Sequence, residues 1–259
     1  MKEVKAKKHL GQHFLTDMGI AKDIATAITG HGGYKTVLEI GPGMGVLTQY
    51  LIEQEQYDLY TAEIDTESVK WLYAHYPRLA GKILEGDYLQ MDMKGVLPTP
   101  YAIIGNFPYN ISSQIFFKVL EDRENVPEVV GMLQKEVAER LSAGHGNRDY
   151  GILTVLLHTW YDVEYLFTVP EHVFNPPPKV KSGVIRAKRN SRTSLPVDEK
   201  LYKMVIKQSF QQRRKTLRNA LKSLNLPLEV TSSPTFDLRA EQLSVEDFIT
   251  LTKTIQPYL

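Results

Sequence analysis

The fold can be inferred outward from residues 37–47, which are VLEIGPGMGVL. An apolar run from Val37 to Ile40 leads into a turn with three glycines, and apolar residues then recur at helical spacing as far as Leu51. Strand, tight turn and helix in this order are typical of parallel sheets, which bind ligands at the carboxyl ends of their strands. We therefore expect a ligand site at the glycine turn.

Further strand patterns follow this first one, at residues 57–64, 82–84, 101–104 and 126–133. Helical patterns separate them, so that strand and helix alternate over about 140 residues. Such alternation predicts a doubly wound, Rossmann-like α/β domain whose parallel sheet is covered on both faces.

The sequence changes character beyond residue 150. Strand-like segments are predicted to form a hairpin at the sheet edge with a neighbour nearby, at 152–160, 163–169 and 181–187. A polar segment with a proline, 190–196, then precedes three amphipathic helical patterns. We therefore predict an α/β domain at 1–189 and a small all-α domain at 190–259.

The composition is that of an ordinary folded chain: of 259 residues, 42% are apolar and 24% are charged. Because there is no cysteine, disulfides, thiolate metal sites and cysteine nucleophiles are excluded, and we predict no metal centre. No signal-peptide core and no membrane-spanning run is present in the sequence. We expect a cytoplasmic protein without a membrane partner.

The charge is unevenly distributed along the chain. Residues 186–222 hold twelve lysines and arginines against two acids, a net charge of +10 in a chain of net charge +1. The remainder is therefore acidic. So many positive charges in one segment repel one another and gain nothing from packing alone. The segment therefore predicts a polyanionic partner.

The spacing of the turn glycines indicates the kind of cofactor. Gly41, Gly43 and Gly45 directly follow a strand and allow the backbone to approach a ligand. A dinucleotide fingerprint needs glycine at position 46, where this chain has Val46. This spacing weakens the case for a nicotinamide cofactor.

Acidic residues follow the next two strands. Glu63 ends the second strand, where a carboxylate can accept both hydroxyls of a ribose, as in nicotinamide and S-adenosylmethionine sites. Asp87, after the third strand, can accept from an adenine amino group or can simply stabilise a turn. Asp65 is interpreted as a helix cap.

A loop of sequence NFPY, residues 106–109, ends the fourth strand. The side-chain oxygen of Asn106 and the backbone carbonyl of Pro108 can accept both hydrogens of an exocyclic amine, which turns its lone pair toward a methyl donor. Tyr109 offers a face for base stacking. Alignment of this kind lowers a barrier without a general base. An ordinary turn beside a core tyrosine is the alternative.

Five blocks carry a resemblance to a known family, namely residues 8–15 (KHLGQHFL), 39–45 (EIGPGMG), 106–112 (NFPYNIS), 174–180 (FNPPPKV) and 209–219 (SFQQRRKTLRN). Together they resemble the KsgA/RsmA family of small-subunit ribosomal RNA adenine dimethyltransferases. The resemblance runs from about residue 5 to the C-terminus, in order and with the family's spacing.

The resemblance implies an S-adenosylmethionine-dependent class I methyltransferase. It would act as a monomer, not on DNA, and form two adjacent N6,N6-dimethyladenosines near the 3′ end of 16S rRNA in the 30S precursor, late in assembly. The implied cofactor residues are His13, Leu15, Gly41, Gly43, Glu63, Asp87 and Asn106. The target base is assigned to Asn106, Pro108, Tyr109 and Phe174, and the RNA to Arg213, Arg214, Lys215 and Arg218.

Two positions depart from the family pattern, since His13 stands where Asn is more usual and Phe107 replaces a common Leu or Ile. Three alternatives remain. A sibling family methylates one adenine of the large-subunit RNA, and a non-catalytic assembly factor could use the same scaffold. A nicotinamide oxidoreductase is the most distant alternative, because the glycine spacing does not fit it.

Overall fold

The structure, a computed structural model, describes residues 4–259. In chain order the strands of this part are β1 Phe14–Leu15, β2 Thr36–Ile40, β3 Asp58–Glu63, β4 Ile83–Glu85, β5 Tyr101–Asn106, β6 Glu128–Gln134, β7 Tyr161–Val169, β8 Phe174–Asn175 and β9 Ser182–Arg189. The α-helices are α1 Met18–Ala25, α2 Thr48–Ile52, α3 Thr66–His75, α4 Ser112–Glu121, α5 Lys135–Ser142, α6 Ile152–Trp160, α7 Glu199–Gln211, α8 Leu217–Ala220, α9 Leu228–Thr231 and α10 Val245–Ile255.

Seven strands form one sheet in the order β4-β3-β2-β5-β6-β9-β7. Strands β4 to β6 pair in parallel, whereas β9 pairs antiparallel to β6. From β2 the chain proceeds to β3 on one side and returns to β5 on the other, so the strand order reverses between β2 and β5. Ligands of doubly wound sheets bind at this switch point, beyond the carboxyl ends of the strands.

The predicted strands up to residue 133 are confirmed, and so is the Rossmann-like sheet. Strand β2 is buried throughout, as a central parallel strand should be. Asp65 caps α3 by accepting a hydrogen bond from the backbone nitrogen of Glu67. Buried side chains of α1, α3, β2, β5 and β6 form the core around the sheet, among them Ile24, Val37, Leu72, Ile104 and Met132.

The predicted strand at 152–160 is wrong, because Ile152–Trp160 is the helix α6. Most of its side chains are buried, so the segment shows no polar face from which a helical period could be recognised. The hydroxyl of Thr159 donates to the backbone oxygen of Val155, one turn earlier. The predicted strands at 163–169 and 181–187 are confirmed as parts of β7 and β9.

Packing divides the chain into two compact units. The first unit runs to Glu139 and resumes at Asp162–Arg189. It contains the strands of the sheet, apart from the first residue of β7. The second comprises Arg140–Tyr161 and Asn190–Leu259. The predicted boundary after residue 189 coincides with one division, but 140–161, which the prediction assigned to the first domain, packs with the second unit.

The second unit is mainly helical. Helix α7 packs against α6 and α10, and the rings of Tyr150, Phe210 and Phe248 follow one another at centroid distances of 6.2 and 6.0 Å. Within residues 4–259, no helix combines the length and the apolar composition that a membrane crossing requires.

Candidate active site at the switch point of the sheet

A cavity of about 260 Å³ lies at the carboxyl ends of the parallel strands. Its wall comes from residues 9–14, from the glycine turn after β2, from the ends of β3 and β4, and from the loop after β5. It includes eight residues that the sequence analysis selected: His13, Gly41, Gly43, Glu63, Asp87, Asn106, Pro108 and Tyr109. The structure therefore brings together residues from five separate segments.

The glycines of the turn have different neighbours. Gly41 and Gly43 have φ angles of 65° and 56°, which disfavour other residues. A Cβ on Gly43 would lie 2.9 Å from the ring of Phe14 in the N-terminal segment. Gly45, in contrast, faces Tyr76, whose ring would be 2.4 Å from such a Cβ. Gly45 therefore accommodates the ring of Tyr76, whereas Gly41 and Gly43 line the cavity.

Glu63 is buried at the end of β3 and is held by backbone nitrogens. Its Oε2 accepts from Gly43 at 3.0 Å and its Oε1 accepts from Asp65 at 2.8 Å. Burial raises the pKa of Glu63, and these two hydrogen bonds partly oppose that shift. A carboxylate has two lone pairs on each oxygen, so Glu63 can still accept hydrogen bonds from a ligand.

Asp87 follows β4 and lines the same cavity. One of its oxygens accepts from the backbone nitrogen of Leu89 at 2.9 Å, so Asp87 caps a short 3₁₀-helix. The turn and the adenine interpretations are compatible, because a carboxylate has a second oxygen.

The loop after β5 is held at each of its predicted binding residues. The side-chain nitrogen of Asn106 donates to the backbone oxygen of His13 at 3.0 Å. The backbone oxygen of Pro108 accepts from Ile111 at 3.1 Å and keeps one lone pair. The hydroxyl of Tyr109 lies 2.6 Å from that of Ser182, and burial raises the pKa of Tyr109.

Phe107 lies behind this loop and is buried. Gly105 of β5 and Gly131 of β6 pair directly, and Phe107 packs over both. A Cβ on Gly131 would lie 2.4 Å from the Phe107 ring, and one on Gly105 would lie 3.0 Å from it. Because Phe107 also lines the cavity, the departure at position 107 affects both the packing behind the loop and the cavity wall.

The N-terminal segment 7–14 is attached to the cavity at two places that the sequence did not reveal. Lys7 forms an ion pair with Asp65, and the same carboxylate accepts from Gln12 at 3.4 Å. The bond to Asp65 raises the pKa of Lys7. At the other end, the ring of His13 stacks on Tyr109. From the sequence, Asp65 was interpreted only as a helix cap. Its ionic partner Lys7 is 58 positions away, so no local pattern indicated the ion pair.

Leu15 and Phe174 are Cα partners in the short pair β1–β8, and their exposures are 4% and 3%. Leu15 also lines a smaller cavity of about 50 Å³ beside Gly41 and Asn106. Phe174 lies in the core and is not part of the main cavity wall, because alternation along β8 turns it inward and leaves Asn175 exposed. That Phe174 closes over the target base stays a prediction.

The predicted RNA-binding residues lie in the second unit and fall into two groups. Arg213 donates to the backbone oxygens of Arg148 and Tyr150, and Arg218 pairs with Asp237. Arg214 and Lys215 are exposed. Part of the basic excess therefore stabilises the unit itself, which the linear sequence could not show.

A family model for ribosomal RNA adenine dimethylases matches residues 3–257. A protein of Cytophaga hutchinsonii named ribosomal RNA small subunit methyltransferase A is 60% identical over 255 residues, 98% of this chain and 99% of that protein. The protein of the same name in Flavobacterium johnsoniae is 56% identical, over 99% of this chain and 98% of that protein.

Two solved structures are similar over nearly the whole length. A dimethyladenosine transferase from Plasmodium falciparum has a TM-score of 0.80 and 26% identity, covering 95% of this chain and 98% of that one. The 23S rRNA methyltransferase ErmE has a TM-score of 0.63 and 23% identity, covering 94% and 99%. The second similarity concerns the fold alone.

Proposed function

This chain belongs to the ribosomal RNA adenine dimethylase family, and we propose that it dimethylates N6 of two adjacent adenosines near the 3′ end of 16S rRNA. The proposed methyl donor is S-adenosylmethionine, and the proposed substrate is the small-subunit precursor late in assembly. The observation that carries the proposal is the single cavity in which Glu63, Asn106 and Pro108 meet. The names of the two relatives described above support the choice of the small subunit.

The cavity fits the proposed donor. Gly43 leaves room where a Cβ would press on Phe14, and the buried Glu63 carboxylate is already oriented by backbone nitrogens that include those of Gly43 and Asp65. We assign the ribose hydroxyls to Glu63 and the cofactor adenine to Asp87. The bound sulfonium would supply an electrophilic methyl group.

The loop after β5 would hold the acceptor base. Because the Asn106 nitrogen is bound to the carbonyl of His13, its oxygen is the end available to accept from an amine. The remaining lone pair of the Pro108 carbonyl would accept the second amine hydrogen. Held in this way, the nitrogen lone pair would leave conjugation with the purine and attack the methyl carbon. The carbon–sulfur bond would break as the nitrogen–carbon bond forms, the thioether would leave, and the nitrogen would lose one proton to water. Alignment replaces a general base.

The target adenine has to leave its stack to reach this cavity, and the face of Tyr109 would receive it. The hydrogen bond between Tyr109 and Ser182 keeps that ring in one orientation. In the second unit, Arg214 and Lys215 are exposed and would neutralise RNA phosphates without sequence selection, whereas the exposed Arg213 already donates to two backbone oxygens.

Unmodified ribosomal subunits from a strain that lacks the endogenous methylase provide the test. They would be incubated with the protein and isotopically labelled S-adenosylmethionine, and the digested RNA analysed by mass spectrometry. We expect two adjacent dimethyladenosines near the 3′ end of the small-subunit RNA. Label confined to the large-subunit RNA, or no label at all, would contradict the proposal.

A further inference from the structure

The turn that follows β4 is held at both of its ends. Asp87 caps the first end of the short 3₁₀-helix Tyr88–Gln90, with its Oδ1 2.9 Å from the backbone nitrogen of Leu89. At the other end, the ammonium group of Lys118 on α4 donates to the backbone oxygen of Leu89, at 3.3 Å, and to that of Met91. A cation is favourable there, because the carbonyls at the C-terminal end of a helix carry partial negative charge.

Lys118 also lies over the ring of Tyr88, with its Nζ 5.0 Å from the ring centroid. This cation–π contact adds to the attraction between α4 and the turn. Tyr88 is 4% exposed and lines the main cavity beside Asp87. One side chain therefore holds the residue next to Asp87 by its ring and the residues after it by their carbonyl oxygens.

The end of the turn that Lys118 holds leads into an irregular segment. Residues 91–100, all of which the structure describes, form no helix or strand. A Cβ on Gly86 would lie 3.2 Å from the side chain of Met91, so Met91 packs against the residue that precedes Asp87. A shift of Met91 therefore disturbs the position of Asp87.

We propose that Lys118 is a positioning residue for the cofactor, because it fixes the turn from which Asp87 presents its second carboxylate oxygen to the adenine amino group. This inference rests on the proposed function, since it takes the adenine of S-adenosylmethionine as the ligand of Asp87. Lys118 itself is not part of the cavity wall, so it acts through the turn. Without its ammonium group, the carboxylate stays at the cavity but loses its fixed direction.

The test compares two ligands that differ at one position of the purine. S-adenosylhomocysteine carries the exocyclic amine, whereas S-inosylhomocysteine has a carbonyl oxygen in its place. Calorimetry gives a Kd for each, and the ratio of the two Kd values measures what the amine contributes to binding. A general loss of structure raises both Kd values, whereas a misdirected Asp87 raises only that of the adenosyl ligand.

Three single variants and one double variant are required, with Tm to verify folding. Lys118→Met removes the ammonium group and keeps an apolar chain, and Lys118→Arg restores a cation. Lys94→Met, at an exposed lysine of the same connection between β4 and β5, is the matched control. Asp87→Asn keeps an oxygen that can cap the turn but loses the charge, and Lys118→Met is also combined with it.

We expect the wild type to favour the adenosyl ligand about tenfold or more, because the inosyl ligand leaves the Asp87 carboxylate without its donor. Lys118→Met should raise the Kd of the adenosyl ligand about fivefold and that of the inosyl ligand less than about twofold, since one hydrogen bond to a charged group is weakened. Lys118→Arg and Lys94→Met should resemble the wild type. Combined with Asp87→Asn, Lys118→Met should have no further effect, because both changes act on one contact.

An equal rise in both Kd values in Lys118→Met, or no change in either, would overturn the inference and leave the assignment of adenine to Asp87 intact. If the wild type bound both ligands equally well, that assignment would be wrong and the inference with it. Absence of methyl transfer by the wild type would contradict the proposed function, which these Kd ratios do not measure.

Discussion

The side-chain nitrogen of Asn106 lies 3.0 Å from the backbone oxygen of His13, although the two residues are 93 positions apart in the sequence. The bond defines which end of the Asn106 amide faces the cavity, since a carbonyl accepts only from the amino end. It also fastens the N-terminal segment to the loop after β5. One contact therefore orients the proposed amine acceptor and closes the cavity wall.

Asn106→Ala should lower methyl transfer by about 10²–10³-fold, the scale seen when one preorganised polar group is removed. Subunit binding should remain largely intact, because the phosphate contacts proposed for Arg214 and Lys215 are unchanged in this variant. Tritiated methyl transfer and sedimentation with subunits measure the two quantities. Asn110→Ala, at an exposed asparagine of the same cavity wall, is the control. Unchanged turnover would remove Asn106 from the mechanism.

Glu63→Gln should raise the Kd for S-adenosylmethionine roughly 10- to 100-fold, because hydrogen bonds to a charged acceptor are lost and the new amide nitrogen faces a backbone donor. Calorimetry gives the Kd directly. The control is Glu85→Gln, since Glu85 is the exposed Cα partner of Glu63 on β4. Equal affinities of the two variants would argue against ribose recognition by Glu63.

Lys7→Ala should weaken cofactor binding about two- to fivefold, because a partly exposed ion pair contributes little, and should make the N-terminal segment easier to cleave by protease. The reason is that the pair with Asp65 anchors this segment beside the cavity. The comparison is with Lys8→Ala at the neighbouring exposed lysine. If both variants are cleaved at the same rate, the Lys7 anchor has no effect.

The two groups of basic residues should behave differently on substitution. Replacing Arg214 and Lys215 together by alanine should weaken RNA binding and reduce its salt slope by about 1.4–1.8 without changing Tm. Arg218→Ala should mainly lower stability, by about 1 kcal/mol, because it removes the pair with Asp237. Filter binding at several salt concentrations and thermal unfolding decide between these effects. An unchanged slope in the double variant would show that RNA binds elsewhere.

Glu39 makes stability depend on pH. Burial raises its pKa from 4.5 to about 8, although the bond from Thr48 opposes the shift. Since folding raises this pKa, the contribution of Glu39 to stability is complete below pH 4.5, declines as the pH rises and is lost above pH 8. Relative to Glu39→Gln, the wild type should lose at most ~1.4 kcal/mol per pH unit in that window. Urea unfolding at several pH values, with Glu55→Gln at an exposed carboxyl as control, tests this. If the difference in unfolding free energy between the wild type and Glu39→Gln does not change with pH, the prediction is wrong.

Local patterns were sufficient for the sheet and for most of the cavity. The glycine turn, Glu63, Asp87 and the loop from Asn106 each follow a strand, and parallel strands bring their carboxyl ends to one edge. The sequence could therefore place these residues together without knowledge of side-chain contacts.

Features that depend on distant partners were missed or mistaken. Helix α6 is buried on most sides, so its sequence lacks helical periodicity. Phe174 lies in the core because of its short pairing with Leu15, which no local pattern indicates. The partners of Arg213 and Arg218 are backbone carbonyls and an aspartate that are remote in sequence.

Phe107 fills the space that Gly105 and Gly131 leave on two paired strands. A smaller residue at 107 would leave a void beneath the loop, and a side chain at either glycine would displace the ring. These three positions therefore depend on one another in packing. Transfer of this loop to a related sheet therefore requires glycine at the positions equivalent to Gly105 and Gly131.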